Sequence, residues 1–173
     1  KKASREIQQR MTAETALRES EARYRSLYYN TPAMLHSIDH QGQLVSVSNH
    51  WAEEMGYGHD EIVGRHLTDF FTAESKKYAE ETVFPDFFKT GYCKDIPYRF
   101  VKKNGEIMDV LLSAIAERDM SGNMRRTLAV SIDVTARKRA EKNLRKAKEA
   151  LSRHSLDLER KVLHPRTDRK SIV

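Results

Sequence analysis

The sequence predicts an α+β fold, in which one five-stranded antiparallel sheet carries short helices on one face and a longer helix flanks it at each end. Three observations lead to this prediction. Apolar residues change from helical spacing to alternation after residue 30. Three strand-like segments joined by tight turns fill residues 92–134. Both ends of the chain contain long stretches without Gly or Pro, rich in good helix formers.

The first element is a predicted helix over residues 3–28. It carries a thin apolar stripe near helical period, made of Ile7, Met11, Leu17, Tyr24 and Leu27. Asn30-Thr31-Pro32 is expected to end it. Two short strands follow, Met34–Asp39 and Leu44–Ser48, joined by a His-Gln-Gly turn.

Short helices are predicted next. The segment HWAEEMGYG forms one that Gly56 closes, and HDEIVG forms a single turn that Gly64 closes. A longer helix starts with Thr72 as N-cap, and we expect Pro85 to interrupt it and Gly91 to end it.

Three strands are predicted in YCKDIPYRFV, EIMDVLLSAIAERD and MRRTLAVSIDV. The pair Asn104-Gly105 between the first two is a strong hairpin signal, and MSGN turns the chain into the third. A helix is predicted from Thr135 to Leu163, where Pro165 ends it, and residues 164–173 are predicted to be disordered.

Charge is distributed unevenly along the 173 residues. The formal net charge is +6, with +3 in residues 1–28, −5 in 29–135 and +8 in 136–173. We interpret this as an acidic core with two basic, solvated helical arms. Nucleic-acid binding is not predicted, because the arms lack interleaved aromatic residues.

Several protein classes are not predicted. A single cysteine, Cys93, excludes an internal disulfide. The sequence has no run of 18 apolar residues, so membrane insertion is not predicted. We expect a cytoplasmic location. The P-loop and nucleophile-elbow motifs of enzymes are missing, so the chain is not expected to be a catalyst itself.

Four motifs in order resemble those of the PAS domain with its trailing PAC motif. They are NHWAEEMGYGHDEIVGR, FVKKNGE, ERDMSGN and DVTARKRAE, and together they span about residues 24–141. The resemblance divides the chain into an N-terminal linker helix (1–28), a PAS/PAC domain (29–135), a coiled-coil signalling helix (136–163) and a tail (164–173).

The resemblance implies a sensory or dimerisation module that regulates an output domain outside this sequence. The segment LSRHSLDLERKV resembles linkers before histidine-kinase cores, so a two-component sensor histidine kinase is the first expectation. A diguanylate cyclase or phosphodiesterase is the alternative, as is a ligand-free dimerisation scaffold. The chain begins with Lys1, and we expect it to be part of a longer protein.

The resemblance also bears on cofactors. Photoactive flavin members have a cysteine in a segment similar to GRHLTDFF, where this chain has Leu67, so no flavin adduct is expected. Haem-binding members have a histidine on the long helix, which has none here. No cofactor and no metal are therefore predicted, although a small apolar or amphipathic ligand remains open, as does a core filled by side chains.

Alternation along the two long strands predicts that Tyr98, Phe100, Val110 and Leu112 share the inner face, and His36, Trp51 and Met55 are expected to approach from the opposite wall. The candidate ligand-binding residues are His36, Trp51, Met55, Tyr98, Phe100, Val110 and Leu112, with Ala114 on the same face. Trp51 is expected to contact the ligand. Cys93, by the same alternation, is expected to point away from this face.

Coupling and dimerisation are predicted at the ends of the domain. Asp133 and Thr135 lie where the last strand becomes the C-terminal helix, and both can cap its free N–H groups. Leu144, Leu151 and Leu158 recur at heptad spacing and predict a homodimer. The N-terminal stripe, from this chain or a second copy, is expected to cover the outer sheet face.

Overall fold

The structure is a computed structural model that describes residues 2–163. The predicted disordered tail, residues 164–173, lies outside the described residues. The chain divides after Val134 into two units, a mixed domain and the C-terminal helix.

Five antiparallel strands form the single sheet of the first unit, which confirms the predicted fold class. They are β1 Met34–Ile38, β2 Leu44–Val47, β3 Tyr92–Val101, β4 Ile107–Arg118 and β5 Met124–Asp133. Their order across the sheet is β2-β1-β5-β4-β3. The chain therefore crosses the whole sheet between β2 and β3, and the intervening helices cover one face.

The helices follow the predicted order, but six α-helices stand within the described residues where five were predicted. Their bounds are α1 Lys2–Asn30, α2 Asn49–Met55, α3 His59–Ile62, α4 Ala73–Tyr78, α5 Phe84–Thr90 and α6 Thr135–Leu163. The one longer helix predicted after Thr72 is divided into α4 and α5. A 3₁₀ turn at Leu67–Phe70 and a π-helical turn at Ala79–Val83 were not expected from the sequence. None of the described side chains of α6 is buried.

The interruption expected at Pro85 does not occur. The chain stays helical from Ala73 to Thr90, because Pro85 lies in the first turn of α5, where a missing backbone donor is tolerated. The π-helical turn immediately before it changes the hydrogen-bonding pattern and lets the helix continue. Gly91 ends the helix in the left-handed conformation, as expected.

Caps fix the entry and exit of α2. The Ser48 side chain accepts a hydrogen bond from the Trp51 backbone N–H and donates one to the Ala33 carbonyl at 2.7 Å. Gly56 adopts φ 76° after the last turn, which a residue with a Cβ would disfavour. These two ends direct the face that carries Trp51 and Met55 into the core.

The outer sheet face is only sparsely covered by α1. Tyr28 is buried there and its hydroxyl lies 2.9 Å from Ser46 Oγ. Leu17, Tyr24 and Leu27 remain exposed, as do the outer-face residues Val45, Ile115 and Ile132. The apolar stripe of α1 therefore does not cover the outer sheet face of its own chain, which was one of the two expected arrangements. No helix within residues 2–163 is both long and apolar enough to cross a membrane.

Candidate functional site

All seven predicted ligand-binding residues lie buried on the inner side of the sheet, but they fall into two groups. His36, Tyr98 and Leu112 line a small cavity between the sheet and the helices. The other four, Trp51, Met55, Phe100 and Val110, belong to the packed core beside it.

Trp51 belongs to an aromatic cluster. Its ring lies edge-on to Phe70, with centroids 5.3 Å apart, and tilted against Phe100 at 6.4 Å. The residue is fully buried, and it is not among the side chains that line the cavity. Its position indicates packing rather than ligand contact.

A row of four residues across the sheet forms the floor of the cavity. Register pairs His36 with Ala129, Ala129 with Ala114, and Ala114 with Cys93. His36 therefore lies in the floor and not on the opposite wall, where it was expected, because it belongs to β1. At the usual strand spacing, His36 and Cys93 lie about 14 Å apart, with the two alanines between them. Because the two central positions carry only methyl groups, space remains above them.

The opposite wall of the cavity comes from the helical segments. Leu67 of the 3₁₀ turn, Val83 of the π-helical turn, and Phe84 and Phe87 of α5 complete the apolar lining. The cavity offers about 20 Å³ to the centre of a water-sized sphere. That is room for roughly one water molecule.

Two buried polar atoms that line this cavity have no hydrogen-bond partner among the described residues. They are His36 Nδ1 and the Tyr98 hydroxyl oxygen, in side chains 1% and 2% exposed. A buried polar group without a partner costs about 1–3 kcal/mol. The buried residues that line the cavity therefore have unmet hydrogen-bonding capacity.

Burial keeps both of these groups uncharged. Desolvation lowers the pKa of His36 from 6.5 to about 4, and it is the main cause that raises the pKa of Tyr98, with the Cys93 thiol and Tyr78 adding to the rise. Burial likewise raises the pKa of Cys93. At neutral pH the imidazole, the phenol and the thiol are all neutral.

Cys93 lies on the cavity side, contrary to the alternation along β3. The pairing with β4 is irregular between Cys93 and Ile96, and Asp95 between them adopts φ 51°. This bulge adds one residue, so Cys93 shares a face with Tyr98 while Tyr92 is exposed on the other. Alternation fails wherever a bulge shifts the register.

The inner face of β5 was not identified from the sequence. Thr127, Ala129 and Ser131 are buried, and the first two line the cavity, whereas Leu128, Val130 and Ile132 occupy the outer face. The larger apolar residues thus face outward, opposite to the usual pattern. Regular alternation marks the strand, but which set faces inward depends on the aromatic side chains that fill the opposite wall.

The histidines form no metal site within the described chain. No three His, Cys, Asp or Glu residues among positions 2–163 are grouped so that they could hold a metal ion. His66 Nδ1 instead lies 2.8 Å from Thr68 Oγ1 at the start of the 3₁₀ turn. The same imidazole fills the space above Gly42, where an added Cβ would lie 2.5 Å from Nε2.

The residues predicted for coupling lie at the junction of β5 and α6, and those predicted for dimerisation lie along α6. Asp133 ends β5 and is exposed, and Thr135 begins α6. Between them, Val134 is buried and its N–H donates to the Asp109 carbonyl at 2.8 Å. Leu144, Leu151 and Leu158 are exposed along α6.

Comparison with known proteins identifies the chain's relatives. The family model of the PAS domain matches residues 31–136. No protein among those with curated descriptions matches.

Several solved structures are similar. The PAS domain of an HTR-like protein from Haloarcula marismortui is 26% identical, with a TM-score of 0.59 over 71% of this chain and 98% of that one. A domain of a sensory box sensor histidine kinase/response regulator from Geobacter sulfurreducens is 17% identical, at 0.55 over 68% and 96%. The light-state dimer of the fungal blue-light photoreceptor Vivid is 18% identical, at 0.52 over 60% and 79%.

Proposed function

Because the chain belongs to the PAS domain family, we propose that it is a sensory module whose inner cavity takes up a small ligand. Binding there is relayed through β5 and α6 to an output domain. A two-component sensor histidine kinase is the output that the α6 sequence favours, and the Geobacter relative carries that description. A diguanylate cyclase or phosphodiesterase is the alternative output.

The observation that carries this proposal is the pair of unpartnered polar atoms at the cavity. His36 Nδ1 and the Tyr98 hydroxyl are buried and lack partners among the described residues. Two apolar side chains of similar volume would fill the same space without that cost. A ligand that pairs with both atoms would recover the lost hydrogen bonds.

A ligand-free scaffold is the second candidate, and the small size of the cavity favours it. Pockets for cofactor-sized molecules have volumes of about 300–1,000 Å³, far above the 20 Å³ found here. Leu67 lines the cavity and has no thiol for a flavin adduct. We propose that neither flavin nor haem is the native ligand.

The relay is proposed to start on β5. Thr127 and Ala129 of this strand line the cavity, and the strand ends at Asp133, two residues before α6 begins. A ligand that shifts β5 would move the start of α6 with it. Small displacements of a packed element are a common way to switch between two signalling states.

Replacing Asp133 by alanine is expected to uncouple output from ligand binding. If its carboxylate caps α6, the substitution costs about 0.5–2 kcal/mol of stability. The larger effect is expected in the protein with its output domain, where activity would stop following the signal while the ligand still binds. Activity and ligand occupancy should be measured together on the same preparations.

Asp60→Ala provides the matched control for this experiment, because Asp60 is an exposed carboxylate on α3. It should leave the signal response at the wild-type level. Signal-dependent activity that persists in Asp133→Ala would show that the strand-to-helix junction has no part in transmission.

The flanking helices are proposed to hold a parallel homodimer. The heptad leucines of α6 and the α1 stripe are exposed within one chain, so they have apolar surface to bury against a second copy. The similar structure of the photoreceptor Vivid in its light state is that of a dimer.

Removing residues 1–20 and 140–173 together is expected to give a monomer, measured by light scattering. Alanine at Leu144, Leu151 and Leu158 together should shift the full chain in the same direction. Leu156→Ala, which changes an exposed leucine of α6 outside that heptad series, is the matched control. An unchanged dimer after truncation would place the interface on the sheet.

A further inference from the structure

A separate groove lies at the end of the domain where β5 leaves the sheet. Three segments form it: the chain that enters β1, one face of α2, and the last residues of β5. The groove offers about 280 Å³ to the centre of a water-sized sphere. Pockets for small molecules start at roughly 300 Å³. It shares no residue with the inner cavity, so it is an independent candidate site.

The acidic side chains of the groove set its charge. Glu54 of α2 and Asp133 of β5 both line it, and its lining includes no Lys or Arg. A space of this volume spans on the order of 10 Å, comparable to the Debye length at physiological salt, so both carboxylates act on a charge placed within it. The groove therefore attracts a cation and repels an anion.

Glu54 also has a cation near it outside the groove. Its Oε2 atom lies 3.7 Å from Lys102 Nζ, and its side chain is 40% exposed. An ion pair this long and this exposed contributes little stability. A carboxylate has about four acceptor positions, so Glu54 can accept hydrogen bonds from a second cation on the groove side.

Ser131 supplies an observation that does not depend on charge. It lines the groove, it is only 3% exposed, and its hydroxyl has no hydrogen-bond partner among the described residues. Its neighbours in the same row of the sheet, Met34 and Leu112, are apolar and offer no partner. A buried hydroxyl in this state costs about 1–3 kcal/mol, which a donor on a ligand would recover.

The remaining surface of the groove is largely apolar. Pro32 and Met34 line it on one side, and Val130 and Ile132 line it on the other. A ligand that carries a short hydrocarbon stem beside its charge would bury that stem here. His50 and Glu54 are four residues apart on α2 and therefore share the helix face above the stem.

From these observations we propose that the groove binds a small organic cation, with an ammonium group on a short apolar stem. Glu54 is its main anionic partner, and the Ser131 hydroxyl accepts a hydrogen bond from it. The inference does not depend on a ligand in the inner cavity. Because Asp133 lines the groove and lies two residues before α6, an occupied groove would act directly on the strand-to-helix junction.

Three probes with the same four-carbon stem test this class on the full chain: butylammonium, 1-butanol and butyrate. Titrations followed by ¹⁵N–¹H NMR measure the affinity and locate the bound probe. We expect butylammonium to shift the signals of Glu54, Ser131 and Ile132. It should bind about tenfold more tightly than the alcohol, because its hydrogen bonds are charge-assisted, and butyrate should bind more weakly still.

Substitutions at Glu54 test its role with a matched control on the same helix. Glu54→Gln should weaken butylammonium about twofold to fivefold, the effect of losing a partly exposed ion pair. Glu54→Lys places a like charge in the groove and should weaken it about tenfold or more. Glu53→Gln and Glu53→Lys change an exposed carboxylate of α2 that does not line the groove, and they should change the affinity less than twofold.

Ser131→Ala removes only the hydroxyl and should weaken butylammonium about threefold to tenfold. The inference is wrong if 1-butanol or butyrate binds as tightly as butylammonium, or if Glu54→Lys or Ser131→Ala keeps the wild-type affinity. Signals that shift at Ala114 and Leu67 of the inner cavity, and not at the groove, would also overturn it. So would a wild-type chain that binds none of the three probes.

Discussion

Trp51→Ala is expected to destabilise the PAS domain by about 3–5 kcal/mol, the usual cost of deleting a large buried aromatic side chain. Trp51 is fully buried and packs edge-on against Phe70 and tilted against Phe100. A domain of this size has a total stability of about 5–15 kcal/mol. Chemical denaturation of the wild type and the variant should therefore show a large fall in midpoint.

Two further substitutions make the experiment specific. Trp51→Phe keeps an aromatic ring in the cluster and removes an indole N–H that has no partner among the described residues, so it should cost less than alanine does. Tyr92→Ala deletes an aromatic ring from an exposed position and should change stability by about 0.5 kcal/mol or less. A Trp51→Ala variant as stable as wild type would contradict the packing role.

The same result bears on ligand binding. The sequence predicts that Trp51 contacts the ligand, whereas the structure places it in the core beside the cavity. Loss of ligand occupancy in Trp51→Ala would therefore reflect a weakened domain. Occupancy should be interpreted only at denaturant and temperature conditions where the variant remains folded.

Acidification is expected to destabilise the domain by about 3 kcal/mol through His36 alone. Burial lowers its pKa from 6.5 to about 4 in the folded state, so the unfolded chain binds the proton more readily. The stabilising contribution is fully present above pH 6.5 and is lost as the pH falls towards 4, at about 1.4 kcal/mol for each unit of pKa difference.

The measurement is the free energy of unfolding between pH 7.5 and 4.5. His36→Phe keeps a ring of similar shape without a titrating group and should lose about 2–3 kcal/mol less over this range. His40→Gln, which changes an exposed histidine in the turn after β1, should follow the wild-type curve. Identical pH dependence in wild type and His36→Phe would show that His36 does not bind a proton on unfolding.

The element order could be predicted because each element carries its own local signal. Helical spacing and the lack of Gly and Pro marked α1 and α6, and the Asn104-Gly105 turn marked the hairpin between β3 and β4. These signals depend on residues close together in the chain. For that reason they can be recognised in the sequence without knowledge of the tertiary structure.

The membership of the cavity could not be predicted in the same way. Alternation identified Tyr98 and Leu112, but it assigned Cys93 to the wrong face because a bulge at Asp95 adds one residue to β3. His36 was expected on the opposite wall and lies in the sheet instead. The bulge has no strong signal in CKDIP. It is visible only in the pairing of β3 with β4.

The sequence by itself determined the family, the order of helices and strands, and the heptad of leucines on α6. Only the tertiary structure decided that Thr127 and Ala129 face inward. Both alternating sets of residues on β5 include apolar side chains, so the pattern alone does not say which set is buried. Which side is buried depends on the side chains that distant segments place opposite β5, such as Phe84 and Phe87 at the cavity. Packing of side chains far apart in the chain is a property of the folded domain, and no local pattern encodes it.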